Sequence, residues 1–235
     1  MPATELLKDE PTDPLAHAFD LRDRDVPSLV RAALAANRTQ LAFQPIVASA
    51  DPMRVAFHEG FIRVLDTGGR VLPARHFMGE VEATAMGRDL DCAALRLGLA
   101  KLRAHPRLRL AINMSARSIA DGKWRQILGR GLRQDDSVGP RLILEISEDS
   151  AMMLPEVVIR FMEEMQPKGV SFALDDFGAG QIAFRHLKDF FFDLVKVDGH
   201  FVKGIAGDPD NQVIAEALIT VAHQFEMFAV AEGVE

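Results

Sequence analysis

Seven short apolar runs, separated by stretches of helical spacing, constrain this chain more than any other feature. The runs are LAFQPIV (41–47), VAFHEGFIRVL (55–65), LRLAINMS (108–115), RLILEIS (141–147), VSFALDDF (170–177), FDLVKVD (192–198) and MFAVAEGV (227–234). Apolar runs of this length, bounded by turn residues, read as strands. Helices are expected over 27–38, 89–105, 155–169 and 209–225, with Asp210 or Asn211 capping the last and Gly169 stopping the one before it. Strand and helix in alternation imply βα units and a mainly parallel sheet. The first two runs are too close for a parallel crossover, so that pair should be antiparallel. The expected fold class is therefore α/β: a TIM-like (β/α) barrel with an antiparallel first strand and its final strand missing, since a closed barrel needs about eight. A chain of 235 residues suits one such domain over 26–235. Residues 1–25, with Pro2, Pro11 and Pro14, read as a flexible tail.

Polar residues fall at regular places in this pattern. Glu59 interrupts the second run, while Asn113, Glu145, Asp175 with Asp176, Lys196 and Glu232 lie at or near the C-terminal ends of later ones. In a parallel barrel those ends meet on one face. Five acids cannot share a small site unless cations neutralise them or they take up protons. Oxygen ligands without a His and Cys cluster suit Mg²⁺ or Mn²⁺ rather than zinc. Two such ions, with Lys196 beside a water, would suit hydrolysis of a phosphoester. Taken singly, each residue has a plainer role. The two aspartates could form a turn and cap a helix, and Glu145 could cap the helix starting near Ser147 or Asp149. Lys196 could pair with Asp198, and Asn113 could brace a loop.

Composition narrows the partners. A net charge of −7 is wrong for a DNA or RNA polymer, which needs a basic surface to displace counterions. Cys92 is the single cysteine, so no disulfide framework exists, and no run approaches the ~20 apolar residues of a membrane span. The N-terminus lacks the basic and apolar regions of a secretory signal. A cytoplasmic protein without membrane insertion is expected. Gly178 and Gly180 lack the third glycine of a dinucleotide fingerprint. His58, His186 and His200 are scattered and read as structural or surface residues, and Phe190 to Phe192 as core or subunit contact.

The ordered set FQPIV, HEGFIR, AINMSAR, LEISEDSA, ALDDFGAG, LVKVD and VAEGVE resembles the bacterial EAL-domain family from about Leu41 to Glu235. That resemblance implies a phosphodiesterase that hydrolyses cyclic di-GMP to linear pGpG with two Mg²⁺ or Mn²⁺ ions. It implies that Glu59, Asn113, Glu145 and Asp175 hold one ion, and that Asp175 bridges to a second completed by Asp176 and Glu232. Lys196 would contact the hydrolytic water, and Gln44 and Arg63 would hold the dinucleotide. The loop after the aspartates, steadied by Glu148, would belong to a homodimer contact. Two departures stand out. The signature triplet is Glu59-Gly60-Phe61, which keeps the acid and loses the usual alanine and leucine. Ala179, Gln181, Ile182 and Ala183 replace hydroxyl-rich loop residues, which implies a looser loop and lower activity. The alternatives are a non-catalytic cyclic di-GMP receptor and a barrel enzyme for another phosphorylated small molecule.

Overall fold

The structure, a computed structural model, describes residues 26–180 and 187–234. The tail expected over 1–25 lies outside the described residues, as do Gln181, Ile182, Ala183, His186 and Glu235. Helix α1 (Val26–Ala35) leads into β1 (Thr39–Ala48), β2 (Asp51–Leu65) and a short β3 (Val71–Pro73). Helices α2 (Met78–Val81) and α3 (Ala85–Ala104) follow, then β4 (Leu110–Asn113), α4 (Ala116–Ile119) and α5 (Gly122–Gln134). The rest comprises β5 (Leu142–Ser147), α6 (Glu148–Met153), α7 (Pro155–Met165), β6 (Ser171–Phe177), β7 (Leu194–Val197), α8 (Gly199–Val202), α9 (Pro209–Gln224) and β8 (Phe228–Ala231).

The strands form one mixed sheet in the order β1-β2-β4-β5-β6-β7-β8, with β3 flanking β2. β1 and β2 are antiparallel and all pairs from β2–β4 to β7–β8 are parallel. The barrel is open: among the described residues β8 and β1 end the sheet on opposite sides without pairing. Phe228 at that free edge is 77% exposed.

Alternation along each strand sorts side chains into two cores. One face packs against the helices through Ile112, Leu142, Leu144, Ile146, Phe172, Leu174, Val195 and Val197. The other face carries a smaller inner cluster of Phe57, Ala111, Ile143, Ala173 and Leu194, with Ile46 and Val230 packed on it. That inner cluster contains one residue from each of the seven strands in the sheet path and forms the floor of the half-barrel.

Several local expectations shift by a residue or more. α9 is capped by Asp208, which accepts from Asp210 N and Asn211 N, both at 3.1 Å. Pro209 suits the first helical position because it has no N–H to satisfy, so the cap lies before it rather than at Asp210 or Asn211. Gly169, at φ 82°, does end the turn after α7. Helix α5 was not among the expected elements, although Trp124, Leu128 and Leu132 mark a buried stripe and Asp121 caps it. Its Gly129 and Gly131 obscure the pattern. Gly131 is needed for close packing, because a Cβ there would lie 2.6 Å from Leu99 of α3. The C-terminal end of α3 is tied by Arg141, whose Nη1 donates to Leu102 O, His105 O and Leu108 O at 2.7, 3.1 and 3.3 Å.

Asp91 is the acid on the buried face of α3, and burial pushes its carboxyl up to about 6 against the pull of Ser118 and Ser115. A carboxyl whose folded value exceeds its unfolded one binds its proton more tightly in the native state. Its contribution to stability is therefore full below the unfolded value and is lost as pH rises through about 6. Relative to Asp91→Asn, the native protein should lose about 2 kcal/mol between pH 4 and pH 7. Urea denaturation of both proteins across that range checks it; parallel pH curves would contradict the assignment.

Candidate metal centre

The functional side chains occupy the layer directly above the inner floor, because strand side chains return to the same face every second residue. Phe57 is followed by Glu59, Ala111 by Asn113, Ile143 by Glu145, Ala173 by Asp175, Leu194 by Lys196 and Val230 by Glu232. On antiparallel β1 the order is reversed, and Gln44 stands above Ile46, directly opposite Glu59. The parallel register also puts Asn113 level with Glu145.

Lys196 Nζ is the hub. It lies 3.0 Å from Glu59 Oε2, 2.9 Å from Asp175 Oδ1, 2.8 Å from Glu232 Oε1 and 3.4 Å from Glu145 Oε2. Lys196 is only 2% exposed and Glu145 is fully buried. Asn113 Nδ2 donates to Glu59 Oε1 at 2.9 Å. Burial pulls the lysine's pKa down, but Glu145, Asp175, Glu59 and Glu232 together outweigh it and hold the ammonium charged. Burial pushes Glu145 well up despite that ammonium, with Glu59 and Asp175 adding to the rise. Glu232 is raised mainly by burial, and Asp176 by burial and then by the charge of Asp175.

Adjacent residues in a regular strand point to opposite faces, so Asp175 and Asp176 should not share a site. The backbone resolves this. Asp176 adopts a left-handed conformation, φ 57°, and the β6–β7 register shifts between Leu174 and Phe177. Such an irregularity re-aims a side chain at a strand end. Asp175, Asp176 and Glu232 thereby bring one oxygen each within 4.8 Å of one another, as do Glu59, Glu145 and Asp175. Asp175 belongs to both triplets.

These groups fit a pair of hard divalent cations on three grounds. All donors are oxygens, the set that Mg²⁺ and Mn²⁺ prefer. Five carboxylates and one ammonium carry a formal charge of −4 when all are ionised, which two divalent ions would balance. Among the described residues, Glu145 Oε1 is the buried side-chain oxygen with no hydrogen-bond partner. A buried acceptor is seldom left unpaired without a reason of this kind.

The aspartates do open a turn, with Ala179 N donating to Asp176 O at 3.0 Å, but other plainer roles fall to different residues. The cap of α6 is Ser147, which accepts from Ser150 N, while Glu145 points into the cluster. Asp198 caps α8 through His200 N, and His200 sits against it at 2.6 Å. Phe190 and Phe192 are core, with Phe191 exposed. Gln44 and Arg63 lie outside the carboxylate cluster: Gln44 is exposed, and Arg63 stacks 5.4 Å from the Phe61 ring centroid. Glu148 Oε2 accepts from Gly178 N at 3.3 Å and Gly180 N at 2.8 Å, fastening the loop after β6 to α6. At Gly60 a Cβ would meet Ile112 Cδ1 at 3.0 Å, so the isoleucine packs where a side chain at residue 60 would begin. Sequence reasoning missed Asp91, although an acid in line with Leu95, Gly98 and Leu102 on an apolar stripe is a visible signal.

A cavity of about 710 Å³ lies away from this centre, lined by residues of α1 and α3 including Arg31 and Arg96, and it holds none of the clustered acids. No described helix is long and apolar enough to cross a membrane.

Comparison with known proteins gives a consistent picture. The family model described as "EAL domain" matches residues 28–235. The cyclic di-GMP phosphodiesterase NbdA of Pseudomonas aeruginosa is 32% identical over 211 residues, covering 88% of this chain and 27% of that protein. The chain thus spans about a quarter of that relative's length. A phosphodiesterase structure, PaMucR in complex with c-di-GMP, superposes with a TM-score of 0.77 at 25% identity, over 90% of this chain and 87% of that one. The FimX EAL domain from Pseudomonas aeruginosa, bound to c-di-GMP, shares the fold with a TM-score of 0.78 at 24% identity, over 90% and 86%.

Proposed function

The chain belongs to the EAL-domain family, and from that premise we propose that it hydrolyses cyclic di-GMP to linear pGpG at the carboxylate centre around Lys196. The observation that carries this reading is the pair of carboxylate triplets sharing Asp175. Glu59, Asn113, Glu145 and Asp175 would hold one Mg²⁺ or Mn²⁺, and Asp175, Asp176 and Glu232 the other. Bound there, the two ions would lower the pKa of a water and offset charge on the phosphoryl oxygens.

The protein's own groups account for the rest. Lys196, already held at the centre by four carboxylates, orients the attacking water and keeps a positive charge beside it. Gln44, across from Glu59, and Arg63, on the same face of β2, would hold the dinucleotide. Water adds across one phosphodiester bond, leaving a terminal phosphate on one nucleotide and a free hydroxyl on the other. The floor of Phe57, Ala111, Ile143, Ala173 and Leu194 closes the centre from below. Glu148, through its bonds to Gly178 and Gly180, supports a loop that we place at a homodimer contact.

Incubation of the protein and of Glu59→Ala with cyclic di-GMP, with and without Mn²⁺, tests the proposal. Metal-dependent pGpG from the native protein, reduced by on the order of 10³-fold in the variant, is expected. A second reading, a receptor that binds without turnover, draws on the loop after β6, where Ala179, Gln181, Ile182 and Ala183 carry no hydroxyl. Tight binding with no pGpG at saturating Mn²⁺ would favour it over catalysis.

A further inference from the structure

The turn that leaves β4 is fastened unusually well. Three successive N–H groups after Asn113 each have a partner on a different element. Met114 N donates to Glu145 O of β5 at 2.9 Å, Ser115 N to Asp91 Oδ2 of α3 at 3.0 Å, and Ala116 N to Ser150 Oγ of α6 at 2.8 Å. Asp91 Oδ2 also accepts from Ser118 Oγ at 2.6 Å, so one carboxylate oxygen holds both ends of the first turn of α4. Ser115 in turn caps α4 by accepting from Arg117 N.

Asn113 stands immediately before this turn. Its Nδ2 is committed to Glu59 Oε1, so its carbonyl oxygen is the atom it can offer an ion. Where that oxygen lies depends on the backbone of residues 113–115, which the bonds of Met114, Ser115 and Ala116 hold as the chain leaves the strand. Met114 N and Ala116 N are tied to β5 and α6, while Asp91 ties the intervening Ser115 N and, through Ser118 Oγ, the far side of the same turn. Burying a carboxyl is costly, and a helix face of Leu90, Leu95 and Leu99 gives no packing reason for an acid.

We propose that Asp91 is a positioning residue of the metal centre: through Ser115 and Ser118 it sets the turn that aims the Asn113 carboxamide. The inference rests on the reading of Asn113 as an ion ligand. Partners of this kind, which touch a ligand's support rather than the metal, typically change metal affinity by about 10–100-fold when removed.

The test is Mn²⁺ binding to metal-free protein, followed by the electron paramagnetic resonance signal of free Mn²⁺ well below the melting temperature. Asp91→Ala should weaken Mn²⁺ binding at one site by about tenfold or more. Asp91→Asn, which keeps an acceptor oxygen, should bind within about threefold of the native protein, since a neutral oxygen can still take both bonds. Ser118→Ala should fall between them, and it carries the test if Asp91→Ala does not fold. Arg141→Ala, which loosens the far end of α3, should melt lower yet bind Mn²⁺ as the native protein does.

Native affinity in both Asp91→Ala and Ser118→Ala would overturn the inference while leaving the metal centre standing. So would an Asp91→Asn as weak as Asp91→Ala, which would implicate charge instead of aim. A loss of affinity in Arg141→Ala equal to that in Asp91→Ala would reduce the effect to general loosening. Failure of the native protein to bind Mn²⁺ would remove the metal centre and this inference together.

Discussion

Asp175→Asn is expected to cut metal-dependent hydrolysis of cyclic di-GMP by on the order of 10³-fold or more. The reason is its place in the cluster: Asp175 supplies an oxygen to both carboxylate triplets, whereas each other acid serves only one. Converting it to an amide removes a charge from both ion positions at once and deletes a 2.9 Å contact to Lys196. The change is isosteric, and β6 keeps its register with β5, where Ser147 pairs with Asp175. Dinucleotide binding should therefore change far less than turnover, because Gln44 and Arg63 are untouched. Initial rates of pGpG formation at saturating Mn²⁺, beside a calorimetric titration with cyclic di-GMP, would show the split. A variant that kept a tenth of the native rate would be incompatible with a shared ligand.

Lys196→Met should destabilise the metal-free protein by about 3–5 kcal/mol near neutral pH. Methionine fills much of the same volume, but it leaves Glu59, Glu145, Asp175 and Glu232 without the cation that all four contact. Glu145 is already raised well above its ordinary value by burial, so it would take up a proton first and relieve part of the strain. Acid supplies those protons, and the deficit relative to the native protein should shrink as pH falls from 7 to 5. Divalent ions should act in the same direction, since a ligand that binds only the native state stabilises it by mass action. Urea denaturation in EDTA and in millimolar Mn²⁺, at both pH values, measures each part. If the variant is as stable as the native protein in EDTA at pH 7, Lys196 does not balance the cluster.

The two predictions concern one design feature. A single ammonium stands among the acids in the metal-free protein, and the acids outnumber it. Lys196 keeps the layer from repelling itself apart, and the shortfall in positive charge would make the layer receptive to added cations.

Much of this was legible in the residues. All seven expected runs are strands, the first pair is antiparallel, and the acids, the amide and the lysine do share one layer. The legibility has a simple source: Phe57-x-Glu59, Ala111-x-Asn113, Ile143-x-Glu145 and Leu194-x-Lys196 are each an apolar residue followed two places later by a polar one. What misled was local chemistry. Asp210 looks like a helix cap until Pro209 is seen to hold the first helical position, and Gly129 and Gly131 interrupt the helical stripe of α5.

The sequence by itself determined which residues face the same way, because the two-residue period of a strand is a local property of the backbone. It also determined that the acids needed a counter-charge. Only the tertiary structure decided that one lysine serves four carboxylates, that Asp176 is turned toward its neighbour's side by a left-handed backbone, and that Asp91 reaches across from α3 to hold Ser115. Those are distances between residues far apart in the chain, set by packing the strands side by side, and no local period encodes them.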